Sequence, residues 1–248
     1  MLKVAVLTLV VFVSIPSFAK EFKCNWGEYN PEPYIILKSG NLKPTGIIPD
    51  LCSALANQLN ETPKLVQASR KRSPKFCLAG TTDIVLISNK KWAKPLLDQP
   101  WLPSYFTENE KLVFSEKSKH LADKKLEEIG KITIATTLGF KYNNELFNQN
   151  IEKGTWKRFD VKNEAAAIKM VIANRLEAAI VKDISFNYRQ KKSSETNALT
   201  LSKFILNSTE ISPVLCGKVD KTRADQIEKA MRSIVKNGEV KKIFEKYK

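Results

Sequence analysis

Apolar residues recur along this chain in two alternating patterns. Short β-branched or continuous apolar runs occupy 22–26, 64–67 and 83–88, the last reading Asp-Ile-Val-Leu-Ile-Ser like a strand buried on both faces. Between them Leu51, Leu55 and Leu59 stand at helical spacing within 47–59, and 70–79 suits a second helix with Ser69 as its cap. Residues 29–43 form a loop rich in Pro, Gly and Asn. Strand-helix-strand-helix-strand in this order predicts a parallel sheet with helices on both faces. After a connector at 112–118 the order returns, with strands at 131–136, 156–159 and 178–181 and helices at 141–150 and 164–174. In the second of these helices Ala167, Met170 and Val171 are spaced towards a core. A strand-like run at 211–219 and helices at 222–236 and 238–246 close the chain. Two α/β units are expected, the second inserted before the first ends.

The first nineteen residues follow a different rule. Lys3 gives a positive start, 4–13 is apolar except for Thr8, and Ser17-Phe18-Ala19 puts small residues at the −3 and −1 positions of a cleavage site. This predicts a secretory signal peptide cleaved after Ala19 and a periplasmic destination. The run is too short to span a bilayer as a helix. Export would exclude nucleotide-driven enzymes and gene regulators.

Composition adds less. With 43% hydrophobic and 27% charged residues the chain reads as globular, long enough for one large domain or two small ones. The net charge of +15 favours acidic partners. The lysines are scattered along the whole chain, however, and no arginine-rich tract or nucleic-acid motif accompanies them, so a solvated basic surface and no nucleic-acid partner are expected. The four cysteines, Cys24, Cys52, Cys77 and Cys216, suggest two disulfides in an oxidising compartment. They form no CxxC, and His120 is the single histidine, in a charged stretch that reads as surface. No metal site, no cofactor and no catalytic triad are expected. Placing Cys24 and Cys77 at one edge of the first sheet, and Cys52 and Cys216 at the other, favours the pairs Cys24–Cys77 and Cys52–Cys216.

Several motifs resemble the family 3 extracellular solute-binding proteins, which have the type II periplasmic binding protein fold and include the binding proteins of amino-acid ABC transporters. Pro31-Glu32-Pro33-Tyr34 is similar to the family's turn after strand one, and Gly46-Ile47-Ile48-Pro49-Asp50-Leu51 to its first helix opening. Gly80 with Asp83 resembles the Gly-x-x-Asp before strand three. Asn174-Arg175-Leu176-Glu177-Ala178 with Asp183 resembles its Gly-Arg-x-Asp-Ala and downstream Asp, and Asn237 to Ile243 with Lys246-Tyr247 its closing helix. The resemblance spans nearly all of 20–248. It implies an α/β fold of two lobes, each a sheet flanked by helices, joined by two hinge strands. Lobe one would hold 20–115 and 212–248, and lobe two 116–211.

Under this resemblance the ligand meets the carboxyl ends of strands and the amino ends of helices. Asp183 would receive an ammonium group, or else only cap the helix that follows it. Thr136 and Thr137, before Gly139, would hold a carboxylate, unless they form an ordinary turn. Arg70 or Arg72 would pair with an anion, against a reading as solvated surface. Tyr34, Trp92 and Trp101 would stack on the ligand or pack in the core. Amino-acid-binding relatives carry an arginine shortly after strand three, where this chain reads Ser88-Asn89-Lys90-Lys91-Trp92. Lys91 restores the charge but not the planar fork, which shifts the expectation towards another small polar, anionic or amine solute. The expected protein is a monomeric, non-enzymatic solute-binding protein that hands its ligand to an ABC permease. A dehydratase-like enzyme using Asp183 or Asp50, and a sensory module for a membrane receptor, are the alternatives.

Overall fold

The structure is a computed structural model and describes residues 20–37 and 43–247; the signal-peptide expectation lies outside these residues. The chain starts in β1 (Glu21–Trp26) and crosses to α1 (Ile47–Gln58), β2 (Thr62–Gln67), α2 (Ser73–Leu78) and β3 (Ile84–Val85). A long strand, β4 (Phe106–Phe114), leads to β5 (Ile132–Thr137), α3 (Glu145–Glu152), β6 (Trp156–Val161), α4 (Glu164–Ile172), β7 (Ala178–Lys182) and α5 (Asp183–Lys192). Then come β8 (Thr200–Leu201), β9 (Asn207–Ile211), β10 (Val214–Leu215), α6 (Lys221–Lys236) and α7 (Glu239–Glu245).

Two sheets result. The first has the order β10-β3-β1-β2, with β1 parallel to β2 and β3 and with β10 antiparallel to β3. The second has the order β6-β5-β7-β4-β8, with β9 also paired to β4. Both sheets are mixed, the first through β10 and the second because β4 runs antiparallel to β7, β8 and β9. The two lobes are joined by β4 and β9, whose far ends pair at Phe106 and Ile211.

The apolar patterning explains the packing. In lobe one Phe22, Cys24 and Trp26 alternate onto the face covered by α1, while Ile227, Ala230, Met231 and Ile234 give α6 one apolar stripe against the same core. The second sheet is buried on both faces. Leu112, Phe114, Ile134, Ala178 and Ile180 point to one cluster, and Val113, Ala135, Ala179 and Val181 to the other, beneath α4. This is why β7 reads as an unbroken apolar run. Gly46 begins α1 at φ 123°, where a Cβ would stand 2.5 Å from the Pro33 carbonyl oxygen. Only glycine lets the loop lie so close to the helix start.

The connector expected at 112–118 begins instead with the last three residues of β4 and runs on into a 3-10 turn at Glu116–Leu121. The polar residues of β4 mask a strand, because Glu108 is buried among partners rather than solvated. The helix expected at 70–79 starts only at Ser73, with Pro74 in its first turn, so Arg70 and Arg72 sit in the preceding turn. The disulfides are Cys24–Cys52 and Cys77–Cys216, not the expected pairs. Cys52 lies six residues into α1, far enough along the helix to come abreast of mid-strand Cys24. Because β10 is antiparallel to β3, it carries Cys216 to the start of β3, beside the end of α2; the Cys216 N–H donates to the Asp83 carbonyl.

Candidate functional site

A cavity of about 610 Å³ opens between the two lobes. From lobe one it is lined by the loop after β1, including Tyr29 and Glu32, and by Arg70 after β2. The second sheet and its helices contribute the end of β5 (Thr137) and the loop after it (Leu138, Phe140, Tyr142), the start of α4 (Asn163, Glu164), the end of β7 (Lys182), Glu110 of the joining strand β4 and Arg189 of α5. Carboxyl ends of strands from both sheets thus converge on one space, as open α/β sheets arrange their ligands. Its size falls within the usual range of small-molecule pockets, roughly 300–1,000 Å³.

Of the residues singled out in the sequence, Arg70 and Thr137 line this cavity and the others do not. The Arg70 guanidinium lies 4.2 Å from the centre of the Phe140 ring, joining the two lobes across the opening. The Thr137 N–H donates to the Tyr142 hydroxyl at 3.1 Å. Thr136 is buried, and its hydroxyl donates to Asp160 at 2.6 Å. Arg72 stacks over Phe76 of its own lobe, and Trp92 is largely exposed. Tyr34 is fully buried and donates to Glu108 at 2.6 Å; the Lys182 ammonium pairs with the same carboxylate oxygen at 2.7 Å. That compact triad joins the loop after β1 to β4 and β7. Asp183 accepts the Ile184 N–H at 2.6 Å and borders a second hollow of about 380 Å³, at the junction of the hinge strands with α7. Asp50 accepts from Lys246 at 2.7 Å and Tyr247 at 2.9 Å, which ties α1 to the chain's end. These placements follow from which face of each element the side chain occupies, and that face is set by the register of the surrounding sheet.

Apart from Arg70, the charged residues that face the cavity were not among the candidate ligand residues. Glu164 opens α4 behind the Asn163 cap, whose side chain accepts the Ala166 N–H. One Glu164 oxygen, Oε2, accepts the Lys182 N–H at 3.1 Å, while Oε1 is buried without a partner. Burial pushes the Glu164 carboxyl up to about 7, against weaker opposing effects of that N–H and of the Lys182 and Arg189 charges. Burial likewise raises Glu110, whose Oε2 accepts from Asn207 at 3.1 Å. Tyr142 is raised too, by burial first. Arg189 Nε is buried without a hydrogen-bond partner. The signal for Glu164 was present: it stands at a strand-to-helix junction like those that drew attention to Thr137 and Asp183. Arg189 stands late in a helix, where sequence gives no sign of a cleft. Among the described residues no group of three or more acidic, histidine or cysteine side chains could hold a metal ion, and no helix is long and apolar enough to cross a membrane.

The fold and cleft together define the type II periplasmic binding protein fold. The chain superposes on a probable amino-acid ABC transporter extracellular-binding protein of Bacillus subtilis with a TM-score of 0.75, at 14% identity, covering 92% of this chain and 97% of that one. It matches the GluR0 ligand-binding core in complex with L-glutamate with a TM-score of 0.72, at 14% identity over 94% and 99% of the two chains. It also matches the ancestral amino acid-binding protein AncCDT-1, a precursor of cyclohexadienyl dehydratase, with a TM-score of 0.70, at 18% identity over 92% and 95%. No family model matches the chain, and no curated protein matches its sequence.

Proposed function

We propose that this protein is an exported solute-binding protein that captures a small, polar, amino-acid-like solute between its lobes and delivers it to a membrane permease. The observation that carries this reading is the cavity between the two lobes, lined by carboxyl ends of strands from both sheets and by charges of both signs. The lobes, 20–115 with 212–248 and 116–211, close by bending of β4 and β9 around the solute. Ligand that contacts both walls favours the closed state, and that differential affinity shifts the population. The protein acts in the periplasm after cleavage behind Ala19, as a monomer, without cofactor or covalent step. The amino-acid-binding proteins among the similar structures support this reading.

The test is a thermal-shift screen with amino acids, organic acids, amines and sugars. A solute at a hundredfold excess over its Kd adds about 2.7 kcal/mol of stability. A screen in which no small solute raises the midpoint refutes the reading. One observation favours a second reading, a dehydratase-like enzyme: a carboxyl held near neutrality in a cleft suits a general acid. A bound compound recovered with changed mass would establish that reading instead.

A further inference from the structure

The walls of the cleft are mostly spoken for by the protein itself. Lys182 is consumed by Glu108, the Thr137 N–H by Tyr142, and the Glu110 carboxylate by Asn207. Arg70 lies on Phe140. Among the described residues that line the cavity, two buried side-chain atoms remain without a hydrogen-bond partner: Glu164 Oε1 and Arg189 Nε. Glu164 is more than nine-tenths buried, with 8% of its surface exposed. Its carboxylate feels the Arg189 charge, yet the two form no ion pair. A buried acceptor and a buried donor of opposite charge, facing one cavity and not bonded to each other, each weaken the fold unless a third party meets both.

We propose that Glu164 and Arg189, both from lobe two, form a two-point receptor for a zwitterion: Glu164 takes the ligand's ammonium group and Arg189 its carboxylate. This rests on the reading of the protein as a solute-binding protein and narrows its ligand to one bearing an amine and an acid on a short spacing. It also resolves the missing arginine after β3, since the carboxylate is met from the opposite lobe. Both contacts are charge-assisted and shielded, where such bonds are strongest. The rings of Tyr29, Phe140 and Tyr142 line the same space and supply apolar faces for the remainder of the ligand.

The experiment is titration calorimetry on the purified protein with the twenty L-amino acids, then with the best ligand's des-amino acid and its decarboxylated amine. Glu164→Gln should weaken the amino acid and the amine at least about tenfold and leave the des-amino acid within about twofold. Arg189→Gln should show the mirror pattern, with Arg189→Lys between it and the parent if the glutamine variant misfolds by circular dichroism. Amino-acid binding that survives both substitutions, or that falls equally for all three compounds, overturns the inference and leaves the solute-binding reading standing. Binding only of solutes lacking an amine or an acid does the same. Failure of every solute to bind removes both.

Discussion

A carboxylate buried with one oxygen unpartnered works against the fold, and Glu164 makes that opposition measurable. Its folded value, about 7, lies above the ordinary 4.5. Between those values the folded state holds more protons than the unfolded one, so stability falls as pH rises from 4.5 to 7. Glu164→Gln should therefore stabilise the protein at pH 8 by on the order of 2–3 kcal/mol and change little at pH 4. Urea denaturation at both pH values checks this, and equal gains at both would contradict it. At this scale the sequence was partly legible. Arg70 and Thr137 line the cleft because their places, after β2 and at the end of β5, depend only on strand and helix order. Tyr34 and Asp183 were harder, since a side chain after a strand can turn towards either of two hollows. Here Asp183 borders the one beside α7, and Tyr34 packs on Glu108.

Elements with an apolar signature were readable, and those built from polar residues were not. α1, β7 and α6 bury continuous or periodic apolar faces. β9 and the first half of β4 read Asn-Ser-Thr-Glu-Ile and Phe-Thr-Glu-Asn-Glu, where the ladder and one buried ion pair, Lys182 with Glu108, hold residues that carry no apolar alternation. The junction of α2 with β10 depends on backbone closeness. Gly217, at φ 74°, donates to the Cys77 carbonyl at 2.7 Å, and a Cβ added there would stand 2.9 Å from Gly80 Cα. Gly217→Ala should lower stability by about 1–3 kcal/mol through left-handed strain and the clash with backbone. A guanidinium melt with an unchanged midpoint would show that this junction yields freely.

For the whole molecule, order of elements was enough to specify two sheets, with the strands of the second falling between β3 and β10 along the chain, because short connections leave few topologies. The antiparallel course of β10 was not legible, as a two-residue strand carries no directional signal, and with it went the disulfide pairing. A non-reducing peptide map should recover Cys24–Cys52 and Cys77–Cys216. Their sequence separations are 28 and 139 residues. Closing loops of those lengths stabilises by about 3–5 kcal/mol each in the chain-entropy model. Replacing Cys77 and Cys216 with serine should lower the denaturation midpoint more than replacing Cys24 and Cys52, and the reverse order would argue against the entropic origin.

The same bridges divide the chain in another way. Cys77–Cys216 draws together the two ends of a stretch that contains all of β4 to β9, and none of the four cysteines lies within that stretch. Lobe two is thus a noose-held insert: its neck is covalently fixed while its body is held only by packing. Were the insert to unfold, the bridge would limit how far its ends drift apart and so lower the entropy cost of pairing β4 with β9 again. The half of the molecule that carries Glu164 and Arg189 thus has no bridge within it, and the bridge at its neck would keep its recovery local.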